Sequence, residues 1–243
     1  MNILVTGAAG MIGSKLTLRL LKDAALNGTP VDRIKLVDVV PPEPPPGFSG
    51  KVEAVASDLA APGEATKLIA ERPDVIFHLA AIVSGEAELD FDKGYRINLD
   101  ATRLLLEAIR AAPDYRPKLV FASSIAVFGA PFPPTIPDDF ALTPLTSYGT
   151  QKAVAELLLA DYARRGFLDG VAIRLPTINV RPGRPNRAAS GRDESCREQR
   201  IDPRATAEIY DALAGHQAGP SHRIADAKRR RARALGDHRE LVV

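Results

Sequence analysis

Tyr148 and Lys152 stand four residues apart in the run Tyr148-Gly149-Thr150-Gln151-Lys152. That spacing puts a phenol and an ammonium on one face of a helix. A free tyrosine titrates near pH ~10 and is a poor base at neutral pH. A neighbouring ammonium favours the phenolate, which predicts a phenol tuned toward working pH as a general base. Chance Tyr–x3–Lys pairs on helical surfaces are common, so the pair alone is a weak signal. It gains weight from Ser123-Ser124, 24–25 residues upstream at the end of an apolar run. A serine at that point can hydrogen-bond the oxygen that gains or loses the proton, or it can simply cap the strand end.

A second constellation lies at the start of the chain, where Asn2-Ile3-Leu4-Val5 runs into Thr6-Gly7-Ala8-Ala9-Gly10-Met11-Ile12-Gly13. A glycine at position 7 permits a tight turn, one at 10 lets backbone approach a pyrophosphate, and one at 13 lets helix and strand pack closely. The helix that opens there offers unpaired N–H groups and a partial positive charge of about +0.5. Gly7, Gly10, Met11, Ile12 and Gly13 are therefore expected to bind a dinucleotide. Asp38, 25 residues after Gly13, ends the second apolar run. An acid there accepts hydrogen bonds from ribose hydroxyls and repels a 2′-phosphate, and the next residues, Val39, Val40 and Pro41, include no arginine. NAD is expected over NADP. Asp58 and Leu59 are expected at the adenine rim, although an isolated Asp also serves as a plain helix cap.

These residues need a scaffold that brings four separated segments together. Apolar runs at 2–6, 34–38, 52–56, 74–79, 118–122 and 171–174 read as strands, and helical periodicity falls at 11–26, 63–71, 99–111 and 147–165. Strands alternating with helices predict an α/β fold with a doubly wound parallel sheet, a Rossmann domain, whose strand carboxyl ends hold the ligand.

Composition agrees with a cytoplasmic globule: 243 residues, 45% apolar, 26% charged, and a net charge of +2. The single cysteine, Cys196, excludes an internal disulfide. No apolar run approaches the roughly 20 residues of a membrane span, and the first residues lack the pattern of a secretory signal. Residues 191–243 differ from the rest. They carry 11 Lys and Arg, 10 of them Arg, with 9 Asp and Glu, and only 8 are Val, Ile, Leu, Met or Phe. Such a segment has little apolar surface with which to offset its ordering entropy. Two domains of unlike character are expected, 1–190 and an Arg-rich tail over 191–243.

The motifs together resemble the extended short-chain dehydrogenase/reductase family, also described as NAD-dependent epimerases and dehydratases. The resemblance rests on Thr6-Gly-x-x-Gly-x-x-Gly13, His78-Leu79-Ala80-Ala81, Asn98, Ser123-Ser124-x-x-Val127-Phe128-Gly129, Tyr148-x-x-x-Lys152 and Arg174-Leu175-Pro176-Thr177. It implies Tyr148 as general base, Lys152 as its tuner and nicotinamide-ribose ligand, and Ser124 as catalytic serine, with Ser123 lining the cofactor. It further implies that Leu79, Ala80 and Ala81 run along NAD, that Asn98 fixes the central helix and a water near the lysine, and that Pro176 and Thr177 flank the nicotinamide. Residues 81–92, Phe128-Gly129-Ala130-Pro131 and 181–186 narrow the resemblance. They imply NAD-dependent oxidation at C2 of a four-carbon sugar acid to the 2-oxo acid, with Ser84, Ser124, Tyr148 and Thr177 touching substrate and copies paired as a homodimer through helices near 99–111 and 147–165.

The resemblance ends near Ser190-Gly191, so the small C-terminal substrate domain of such proteins is expected to be largely missing. An Arg- and Ala-rich tail that begins abruptly is what a shifted reading frame would encode. Three readings remain open: a sugar-acid dehydrogenase, a nucleotide-sugar epimerase or dehydratase using the same Ser–Tyr–Lys set, and a truncated, inactive dinucleotide-binding protein. Other features read plainly. The prolines within 41–46 form a stiff loop beside the adenine pocket rather than a polyproline ligand. His78 has no companion at metal-ligand spacing, so no metal is expected. Lys228-Arg229-Arg230-Arg231 is a solvated charge run rather than a nucleic-acid site.

Overall fold

The computed structural model describes residues 1–44, 52–137 and 139–176. Six strands make one sheet: β1 Asn2–Thr6, β2 Arg33–Asp38, β3 Val52–Ala56, β4 Val75–His78, β5 Lys118–Ser124 and β6 Asp169–Leu175. Every neighbouring pair is parallel, and the order across the sheet is β3-β2-β1-β4-β5-β6. The order reverses between β1 and β4, which opens a crevice above their carboxyl ends. The sheet is the doubly wound Rossmann type that the alternation of runs predicts.

Near-continuous apolar runs suit strands covered on both faces. The two cores confirm the cover. One face packs Leu4, Ile76, Leu119 and Phe121 against Leu68, Ile69, Leu105, Leu106 and Leu159. The other packs Ile3, Val5, Phe77 and Val120 against Leu16, Leu20 and Leu21. Alternate residues of each strand therefore serve opposite layers.

The helices are α1 Met11–Asp23, α2 Glu64–Ala70, α3 Ser84–Leu89, α4 Phe91–Gly94, α5 Ala101–Ala111 and α6 Ser147–Arg164. Two details depart from the periodicity. The expected helix at 99–111 is the end of a longer one: α4 passes through a π-type stretch, Tyr95–Asp100, into α5. Helix α1 stops at Asp23, where Ala24 turns left-handed at φ 52°, and a small hairpin, Ala25–Leu26 with Thr29–Pro30, comes next. Helix α3 carries no clear periodicity in so short a span and escapes a pattern reading. No helix among the described residues is long and apolar enough to cross a membrane. Thr177 and the whole of 191–243 lie outside the described residues.

Candidate active site

The glycine loop is built by close backbone approach. Gly7 has φ +74°, and a Cβ placed on it would lie 2.5 Å from Ala80 N. The loop thus abuts the Leu79-Ala80 segment leaving β4. A Cβ on Gly13 would lie 2.3 Å from the Gly7 carbonyl oxygen, so only glycine lets α1 begin this near β1. Gly7 N and Ala8 N both donate to the Val37 carbonyl, at 2.8 and 3.2 Å. The first turn of α1, opened by Met11 and Ile12, carries no acidic residue, and Gly10 supplies no side-chain cap. Its N–H groups are left for an anion. Asp38 accepts from Ala9 N at 3.0 Å, which places its carboxylate beside this turn. A glycine cradle, an uncapped helix start and an adjacent carboxylate fit a dinucleotide: diphosphate at the turn, ribose at Asp38.

Asp58 has another occupation. Its Oδ1 accepts from Ala60 N at 2.9 Å and its Oδ2 from Arg96 at 2.7 Å. Burial raises its pKa, but these two bonds outweigh it and hold the carboxyl below its usual range. The structure thus favours the cap reading for the carboxylate. The Leu59 side chain lies in the core, so the expectation that it contacts adenine is corrected for the side chain.

At β4 the backbone leaves the sheet through half-buried Leu79 and Ala80 and exposed Ala81. Asn98, buried in the π-type stretch, fastens the segment beyond Ala81. Its Oδ1 accepts from Ile82 N at 2.9 Å, and its Nδ2 donates to Ile82 O at 3.3 Å and to Gln151 Oε1 at 2.7 Å. This places the asparagine between the loop after β4 and α6. Ser84 opens α3 and is half-buried. Helix α3 meets the start of α6, where Ser147 N donates to Glu88 at 2.5 Å. Pro176 comes directly after β6 and is exposed.

His78 faces no crevice. It is 1% exposed, with Nδ1 2.8 Å from Thr6 Oγ1 and Nε2 2.9 Å from Thr102 Oγ1. Thr102 spends its own proton on Asn98 O, so Nε2–H must donate to Thr102 and Nδ1 must accept from Thr6. Burial, assisted by the Lys152 charge, pushes the imidazole down to about 3. Among the described residues no group of three His, Cys, Asp or Glu could hold a metal ion.

The start of α6 carries the proton-transfer pair. Thr146 caps it by accepting from Gly149 N at 3.0 Å. Gly149 lies so near Ala126 O that a Cβ would come within 2.2 Å of it. That contact seats Tyr148 beside the turn after β5, where Ser124 Oγ accepts from Ala126 N at 3.1 Å. The Ser124 hydroxyl stands beside the Tyr148 phenol and acts to lower its pKa. Burial pushes the phenol above its ordinary value, and the Ser124 hydroxyl opposes this only in part.

One expectation, that for Ser123, needs correction here. Lys152 is anchored near the phenol. Its Nζ donates to Ala122 O at 2.8 Å, lies 4.6 Å from the Phe121 ring centre and 5.8 Å from that of Tyr148, and is buried. Burial lowers its own pKa to about 7, with Glu156 acting in the opposite sense. Ser123 does not turn its side chain to the crevice. It is buried, and its hydroxyl donates to Glu156. Strand alternation is the reason, since successive side chains point to opposite faces.

Sequence reasoning passed over Glu156 and Gln151 and saw Arg174 only as part of a motif. Arg174 binds Glu156 through two nitrogens, Nε at 3.1 Å from each carboxylate oxygen and Nη2 at 2.8 Å from Oε2. A charged residue inside an otherwise apolar strand and a glutamate one turn after Lys152 were the available signals.

Comparison with known proteins agrees with this geometry. The model of the NAD dependent epimerase/dehydratase family matches residues 3–192. The chain is 51% identical over 195 residues to D-erythronate dehydrogenase of Cupriavidus necator, covering 78% of this chain and 59% of that protein. It is 46% identical over 190 residues to the protein of the same name from Haemophilus influenzae, with the same coverage. The crystal structure of a nucleoside-diphosphate-sugar epimerase from Agrobacterium tumefaciens superposes with a TM-score of 0.76 at 68% identity, over 79% of this chain and 57% of that one. The UDP-glucose 4-epimerase from Brucella ovis, solved in complex with NAD, superposes at 0.59 with 32% identity, over 71% of this chain and 51% of that one. The chain spans about three-fifths of the length of the curated relatives it matches. With the glycine cradle, the reversal in strand order and Ser124, Tyr148 and Lys152 gathered at the carboxyl end of β5, these matches place the chain in the NAD dependent epimerase/dehydratase family.

Proposed function

We propose that this protein is an NAD-dependent dehydrogenase that oxidises the C2 hydroxyl of a four-carbon sugar acid of the D-erythronate type to the 2-oxo acid. The placing of the Ser124 hydroxyl beside the Tyr148 phenol at the carboxyl end of β5 carries the proton-transfer part of this reading. The names of the two relatives above 45% identity support the substrate class.

In this reading Gly7, Gly10, Met11, Ile12 and Gly13 hold the diphosphate, Asp38 the adenosine ribose, and Leu79, Ala80 and Ala81 the edge of the crevice. Bound there, NAD supplies the two-electron acceptor that an alcohol oxidation requires. Tyr148 takes the hydroxyl proton, Ser124 orients the same oxygen, and Lys152 supplies positive charge beside the phenol. Ser84 and Thr177 are the proposed further substrate contacts. Residues 1–190 form the working domain, in the cytoplasm. A homodimer through α5 and α6 belongs to the same proposal; Leu157, 63% exposed on α6, supports it.

NADH appearance on a panel of four-carbon sugar acids tests the reading, with Tyr148→Phe beside the parent. Turnover of D-erythronate that Tyr148→Phe abolishes is the expected result. The 68% identity to a structure described as a nucleoside-diphosphate-sugar epimerase favours a second reading. Tightly retained cofactor and no net NADH release, together with interconversion of a nucleotide sugar, would select it. Saturable NAD binding with turnover of neither substrate class would instead mark an inactive dinucleotide-binding protein.

A further inference from the structure

We propose that Glu156 is a positioning residue for the proton-transfer pair: clamped by Ser123 and Arg174 one turn along α6 from Lys152, its buried carboxylate supplies the counter-charge that lets the Lys152 amine sit at the Ala122 carbonyl, 5.8 Å from the centre of the Tyr148 ring. The inference rests on the reading of Tyr148 and Lys152 given above.

Lys152 and Glu156 hang from consecutive turns of α6 and engage consecutive residues of β5. The ammonium donates to Ala122 O at 2.8 Å, while the carboxylate accepts from the Ser123 hydroxyl. Both side chains are sealed from solvent, at 1% and 2% exposure. A lone ammonium in such a place loses its proton readily. The groups around it can be named element by element. Helix α6 presents Tyr148 and Glu156, β5 presents the Phe121 ring and Ala122 carbonyl, β4 presents neutral His78, and β6 presents Arg174 against Glu156. Glu156 is, among the described residues, the one carboxylate whose charge acts on Lys152.

Arg174 sets the strength of that action. Its two-nitrogen grip fixes both carboxylate oxygens, and its guanidinium carbon lies 4.9 Å from the centre of the Phe128 ring. Glu156 is therefore shared between two cations. Removing the carboxylate and removing the arginine must move Lys152 in opposite directions. A glutamate that merely packs the layer between α6 and the sheet gives no such opposition.

The test is an NMR titration of the full chain carrying isotope-labelled lysine, with the Lys152 signal identified by its loss in Lys152→Arg. In Glu156→Gln the Lys152 midpoint falls, with about a tenfold smaller charged-to-neutral ratio at fixed pH for each unit. In Arg174→Gln the midpoint rises. Either variant decides the matter if the other does not fold. A midpoint that stays in place, rises in Glu156→Gln or falls in Arg174→Gln overturns the proposal. The titration needs neither NAD nor sugar acid, so a chain that turns over no substrate still answers it. Where turnover is found, Glu156→Gln lowers kcat more than it changes KM, and its loss grows as pH rises through the Lys152 midpoint.

Discussion

Ser123 and Ser124 are adjacent on β5 and meet different turns of α6. The Ser123 hydroxyl is buried and donates to Glu156, whereas Ser124 meets the Tyr148 phenol in the crevice. One step along the strand thus separates a hydroxyl that supports an internal charge cluster from one that can touch a reacting oxygen.

Ser124→Ala removes a hydrogen bond made at the reacting oxygen. The expected loss is about 10²- to 10³-fold in kcat, with little change in thermal midpoint. Ser123→Ala leaves the Glu156 carboxylate short of a donor in a buried site, and about 1–3 kcal/mol of stability goes with it. Steady-state kinetics and thermal melts on the two proteins separate the roles. Equal kinetic losses with unchanged melts would contradict the division.

Tyr148→Phe keeps the ring and deletes the hydroxyl. Loss of general-base chemistry predicts a fall in turnover of about 10²- to 10⁴-fold. NAD affinity by calorimetry changes by far less, since the glycine loop and Asp38 remain. Because burial raises the phenol's pKa, the parent's turnover climbs with pH from neutrality into the alkaline range. A flat profile between about pH 7 and pH 10 would show that the phenol is not the titrating base.

The order of strands, the glycine loop and the Tyr148–Lys152 spacing were legible because each obeys a local rule: apolar runs, glycines where a Cβ collides, a four-residue helical repeat. Roles that depend on which way a side chain points were not. Ser123 and Ser124 look alike in a sequence, and only the pleat assigns them. Asp58 reads as an adenine contact or as a cap until Arg96, 38 residues away, is seen to bind it. The Lys152 amine lies in the sequence one turn from Tyr148, but its anchoring by the Ala122 carbonyl and beside the Phe121 ring depends on a strand 30 residues away. Glu156 and Arg174 gave no periodic signal because a part-buried ion pair interrupts the apolar pattern that makes a core recognisable.

Gly13→Ala tests the cradle. Its Cβ would meet backbone, the Gly7 oxygen at 2.3 Å and Ala8 Cα at 2.7 Å, so no side-chain rotation can relieve it. The expected cost is about 1–3 kcal/mol of stability, with at least tenfold weaker NAD binding as α1 moves from β1. Asp38→Ala is the companion: its carboxylate touches only Ala9 N among the bonds described, so stability changes little. NAD binding weakens and the preference over NADP narrows, readable by calorimetry with both nucleotides. Unaltered discrimination between the two would remove Asp38 from the ribose site.

His78 supplies a pH dependence of stability that needs no ligand. Folded, the imidazole is held neutral down to about pH 3, while an unfolded histidine takes up its proton near the ordinary value of 6.5. Between those limits the unfolded chain binds more protons, so stability rises with pH. The contribution is complete above about 6.5 and is lost progressively as the pH falls toward 3. His78→Gln keeps an amide to bond Thr6 and Thr102 but cannot take up a proton. Its denaturation midpoint should be lower than the parent's at pH 7, because the fit to the two threonines is worse, and should fall less steeply on acidification. Urea titrations at several pH values between about 4.5 and 7.5 read the difference directly. Parallel slopes for the two proteins would mean that the acid sensitivity arises elsewhere and that the imidazole is not the buried neutral link between β1 and α5.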